Sequence, residues 1–102
     1  MPKLTCQHVQ FYSAADEDAF FRFAESIDGV TTVRGSADSI MLDLASEPSE
    51  QALRDLIALF ERYHITDADQ LAQFLSDSNR SWFADPQKFW YKSIFDEATR
   101  HI

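Results

Sequence analysis

The chain has 102 residues, 45% of them hydrophobic and 25% charged, with only two Gly and three Pro. That is enough for one folded domain with a modest core, and the composition is not that of a disordered chain. The formal net charge is −8, with nine acids against three bases in residues 1–51 and eight against six in residues 52–102; no basic cluster is present to neutralise a phosphate backbone, which argues against direct binding to nucleic acid or an anionic membrane.

No stretch approaches the roughly 20 apolar residues of a membrane span. The start of the chain, MPKLTCQHVQFYS, lacks the apolar run of a secretory signal. Cys6 is the single cysteine and has no intrachain disulfide partner. Together these features give the expectation of a cytosolic protein in a reducing compartment.

In chain order, residues 4–12 (LTCQHVQFY) are rich in β-branched and aromatic types and predict a first strand. Ser13 follows as a helix N-cap. Asp16 stands in the capping-box position, and Asp16, Glu17 and Asp18 suit the positive end of a helix dipole. Phe20, Phe23, Ala24 and Ile27 then form one apolar stripe at helical spacing, and Gly29 supplies a stop.

Residues 30–34 and 39–45 predict a hairpin joined by the turn residues 35–38, with Ile40, Leu42 and Leu44 on one face of its second strand. Pro48 suits the first turn of a second helix whose stripe is Leu53, Leu56, Ile57 and Phe60. Thr66 with Asp69 reads as the cap of a third helix containing Leu71, Phe74 and Leu75. Asp85-Pro86 reads as the cap and first residue of a last helix, on which Trp90, Tyr91, Ile94, Phe95 and Ala98 share a face.

The order β-α-β-β-α-α-α over residues 1–102 predicts a single α+β domain that begins like a ferredoxin-like unit. Its three-stranded antiparallel sheet takes the order 1-3-2, with helices packed mainly on one face. The usual fourth strand is missing, so the second face needs cover from the later helices, from another subunit or from water.

Two groups of residues stand out as a candidate partner-binding surface. One is the acidic run Asp16, Glu17 and Asp18. The other is Arg80, Trp82, Phe83 and Phe89, aromatics surplus to the stripe of the last helix. Trp82 and Phe83 have two possible fates: folding back under the last helix, or standing exposed beside Arg80 as an anchor of hot-spot composition.

Cys6 and His8, two apart on a strand, would share a face. With His64, His101, Asp67 or Asp69 they are the only outline of a metal or thiol–imidazole site, and two ligands do not make one. Thr66–Asp69 (TDAD) lacks the central Gly and terminal Glu of a calcium loop. No phosphate loop, HExxH, GxSxG or CxxC is present, so neither a cofactor nor a catalytic group is assigned.

The expectation is therefore a small acidic module that binds another, basic protein. Immunity-type inhibitors of bacterial toxins have this profile, with acids for steering and rings for anchoring. The alternatives are a homodimer with a small-ligand site between subunits, and an enzyme using scattered carboxylates or the Cys6–His8 pair.

Overall fold

Alternation builds the sheet. A computed structural model of the chain describes residues 2–36 and 38–96. In it β1 (Lys3–Gln7), β2 (Val30–Ser36) and β3 (Ser39–Leu44) pair antiparallel in the order β1-β3-β2. Leu4, Cys6, Ile40, Leu42 and Leu44 are buried on one face. Lys3, Thr32 and Arg34 are exposed on the other, where Thr5, Met41 and Asp43 are half-buried.

β1 is shorter than its composition suggests. Gln7 pairs with Ser39, the first residue of β3, and beyond it the ladder ends with one bond from the His8 N–H to the Asp38 carbonyl. His8 turns away at φ 57°. Val9 and Phe11 are therefore not strand residues, although both pack against the core.

α1 (Ala14–Ser26) begins as expected: the Ser13 hydroxyl accepts the Asp16 N–H at 3.1 Å. Asp16 reaches back one residue further than a capping box requires, and its Oδ2 accepts the Tyr12 N–H at 3.1 Å. Phe20, Ala24 and Ile27 are buried. Gly29, at φ 91°, turns the chain into β2, a backbone state only glycine adopts without strain.

α2 (Glu50–Arg62) is capped by Ser49 through a 3.2 Å bond from the Ala52 N–H, so Pro48 precedes the cap and does not lie in the first turn. Leu53, Leu56, Ile57 and Phe60 are buried with Ala52 and Leu59, so α2 lies in the middle of the helical layer, between α1 and a 3₁₀ helix at Ala68–Phe74.

α2 ends in a Schellman motif. The Ile65 N–H donates to the Phe60 carbonyl at 2.9 Å and the His64 N–H to that of Glu61 at 3.3 Å. His64 thus occupies, at φ 55°, the left-handed position that usually belongs to glycine. His64→Gly is expected to stabilise the fold by about 0.5–1 kcal/mol, the relief of left-handed strain less the extra freedom of glycine in the unfolded chain. Urea denaturation measures it through an upward shift in midpoint.

The expected third helix forms as that 3₁₀ helix. It is preceded by Asp67, which makes no side-chain cap bond, and the Thr66–Asp69 cap does not form. Gln70 explains its position. Its Oε1 accepts the Thr5 N–H at 2.8 Å, and its Nε2 donates to the Thr5 carbonyl at 2.7 Å and the Asp67 carbonyl at 3.0 Å. One amide side chain thus does for the edge of β1 what a neighbouring strand's backbone would do.

The last region also differs from expectation. Trp82 and Phe83 lie on a one-turn helix, α3 (Arg80–Phe83), and the final helix α4 spans Tyr91–Phe95. Asp85 makes a turn instead of a helix start: its Oδ1 accepts the Gln87 N–H and its carbonyl the Lys88 N–H, both at 3.0 Å. Ala98 and His101 lie outside the described residues.

Candidate functional site

The aromatic segment divides by burial. Phe83 is 0% exposed, its ring edge-on to Phe95 with centroids 5.0 Å apart. Its backbone carbonyl accepts the Trp90 indole N–H at 2.8 Å. Phe83 is therefore a core residue and not a partner anchor. The cause is local: one helical turn at 80–83 aims it inward, where burying a whole ring outweighs any benefit of exposure.

Trp82 is half-buried. Its ring stands edge-on to Trp90, and the Arg54 guanidinium lies 4.0 Å from its centroid. Arg54 is held in turn by Glu50, with Nε and a terminal nitrogen each 3.1 Å from Oε2. One face of Trp82 is thus covered by the chain's own cation. Arg80 is exposed beside it, and Phe89 stands out at 65% exposure against the edge of Trp90. Among the four residues expected here, only Phe89 is a freely presented ring.

A different aromatic accompanies the acids of α1. Tyr12 is 82% exposed and is placed by its N–H bond to Asp16. Glu17 and Asp18 are exposed on the following turn. Beside them lies a concavity of about 420 Å³ lined by His8, Gln10, Tyr12, Asp16, Arg62, Tyr63 and His64. Tyr63 is nearly buried, packed edge-on against Phe11 and Phe20, and the Arg62 guanidinium lies 5.8 Å from its ring centroid.

His8 is fixed twice by Asp38: its N–H donates to the Asp38 carbonyl at 2.9 Å, and its Nδ1 lies 3.2 Å from the Asp38 carboxylate. The two groups of expected site residues sit toward opposite ends of α2. Arg54 to Tyr63 is nine residues, about 14 Å along a helix axis, so they form two patches.

The Cys6–His8 pairing does not form, because β1 ends between them. Burial, with a smaller contribution from the Asp67 carboxylate, pushes the Cys6 thiol up to about 12, so at neutral pH it is not a nucleophile. Burial also raises Asp67, Asp69 adds to the effect and His8 opposes it; the Asp67 Oδ1 is buried without a hydrogen-bond partner among the described residues. On the open sheet face Asp43 is lowered, first by the Thr32 hydroxyl at 2.6 Å and then by Arg34 and Lys3. No group of three or more His, Cys, Asp or Glu at metal-holding geometry occurs among the described residues, and none of their helices is long and apolar enough to cross a membrane.

Tyr12 and Arg62 are absent from the residues singled out in the sequence, and His64 stands there only as a possible completion of a Cys6–His8 site. The composition of residues 4–12 places Tyr12 at the end of a strand. A histidine where a Schellman glycine is usual was the one available signal for His64. Comparison with known proteins adds no relative: no family model, curated protein or solved structure matches the chain.

Proposed function

We propose that the chain is a protein-binding module that docks a basic partner on the α1 end of the fold, and that it acts as a stoichiometric inhibitor of the immunity type. The observation that carries this reading is Tyr12, 82% exposed and fastened by Asp16 beside the exposed Glu17 and Asp18. A large amphipathic ring next to consecutive carboxylates combines a hot-spot anchor with a steering charge. The net charge of −8 extends the steering field.

The test begins with capture of a basic protein from the native host at low ionic strength, followed by titration of the purified pair. Tyr12→Ala is expected to weaken the complex by about 2 kcal/mol, roughly thirtyfold. Glu17→Gln with Asp18→Asn should slow association and flatten its salt dependence while leaving dissociation little changed. Failure to retrieve any basic protein, or full affinity in the Tyr12 variant, sinks the reading.

Phe89 supports a second reading, association of two copies through the C-terminal aromatics. Mutual repulsion of two chains of charge −8 opposes it, and a strict monomer by light scattering at high protein concentration removes it.

A further inference from the structure

We propose that the concavity between the loop after β1 and the C-terminal end of α2 is a binding site for a small oxyanion-bearing molecule, a phosphate ester or a carboxylate, with His8, Arg62 and His64 as its donors. The site shares Tyr12 and Asp16 with the proposed docking surface, but its test needs no protein partner. At about 420 Å³ the concavity is within the size range of small-molecule sites.

Backbone strain is the first argument. Among the described residues, His8 and His64 are the two non-glycine residues with positive φ, at 57° and 55°, and both line this one concavity. They come from segments far apart in the chain, the turn after β1 and the cap of α2. Strained backbone that converges on one site is a pointer to function, and at position 64 the Schellman geometry offers glycine as the unstrained choice.

Charge is the second argument. A chain with 17 acids and nine Lys and Arg places two imidazoles and a guanidinium around one hollow. Arg62 has no carboxylate within ion-pair distance among the described residues, and its contact is the ring of Tyr63. It is an exposed fork of donors suited to bidentate contact with an oxyanion. The Asp38 carboxylate takes the Nδ1 side of His8, which fixes the ring, and Nε2 donates to an oxyanion when the ring carries both protons. Asp16 is the one carboxylate in the lining, and its Oδ2 accepts the Tyr12 N–H. Tyr12 and Tyr63 provide ring surface for an apolar or aromatic part of the ligand.

The experiment is an NMR titration of the whole chain with phenyl phosphate and, separately, benzoate, following the imidazole resonances of His8 and His64 at constant pH and ionic strength. Saturable shifts of both rings with one shared midpoint support the site, and the probe with the lower midpoint identifies the preferred oxyanion. His64→Gly separates ligand contact from structure, because it is expected to melt higher than the parent while binding the better probe about tenfold more weakly, the loss of one charge-assisted hydrogen bond. Arg62→Gln should weaken binding as well. Linear, unsaturable shifts with both probes, a response from only one of the two imidazoles, or unchanged affinity in His64→Gly overturns the proposal.

Discussion

Phe83→Ala is expected to remove about 3–5 kcal/mol of stability, the cost of deleting a fully buried phenyl ring and leaving a cavity. Phe83 has no exposed surface, and its ring is in contact distance of Trp82 and Phe95. Trp90 is tied to its carbonyl, so collapse into the space would have to move α3, the turn before α4 and the indole together. Relaxation is therefore poor, and the loss should fall toward the upper end of that range. At roughly 0.05–0.15 kcal/mol per residue a domain of this length has about 5–15 kcal/mol in total, so the variant is left near the edge of folding. Urea denaturation should show a large fall in midpoint with an unchanged slope. Phe89→Ala is the matched control, since Phe89 is 65% exposed and its loss should stay within about 0.5 kcal/mol. Equal effects of the two substitutions would contradict the placement of α3.

Gln70→Ala is the second large effect, expected to cost about 2 kcal/mol. Three hydrogen bonds of 2.7–3.0 Å converge on this one amide. Removing it strips partners from the Thr5 N–H and carbonyl, which are half-buried, and each backbone group left unsatisfied costs about 1–3 kcal/mol when fully buried. Water reaching a half-exposed edge recovers part of that. Hydrogen exchange gives the specific readout: the Thr5 amide should lose protection in Gln70→Ala, while amides paired between β1 and β3 lose only what the global destabilisation dictates. Unchanged Thr5 protection would show that the amide does not close the strand edge. Asparagine at position 70 is one methylene too short to reach both backbone groups and should behave like alanine.

These two residues mark where sequence reasoning stopped. The stripe Phe20–Ile27 and the alternation Ile40–Leu44 are strictly local, because period and burial coincide within one element, and both elements form where the pattern puts them. The sheet order follows from a hairpin plus one helical crossover. The end of β1 is different: HVQFY has the composition of a strand, but β3 begins at Ser39, opposite Gln7, so the partner runs out. The last helix is different for the same reason. Asp85-Pro86 has good start chemistry, yet the chain must bring the Trp90 indole to the Phe83 carbonyl, and the helix waits until Tyr91.

The candidate surfaces show the same division. Asp16, Glu17 and Asp18 follow a cap, and Glu17 and Asp18 are exposed with Asp16 half-buried, as a first helical turn dictates. Whether a ring beside them faces water is a property of packing. Phe83 and Tyr12 have similar neighbours in the sequence, but one is enclosed and the other 82% exposed, because α3 turns inward and the loop ahead of Ser13 does not.

Composition and periodicity alone are sufficient for the α+β class, the three strands, the two long helices and the acidic character, since these depend on residues near one another along the chain; the strand order, which pairs Lys3 with Asp43, follows from the β-α-β-β sequence of elements. The strand limits, the Gln70 closure, the enclosure of Phe83 and the meeting of His8 with His64 depend on contacts between distant segments. Their energies exist only once the layers have packed, and no local pattern encodes them.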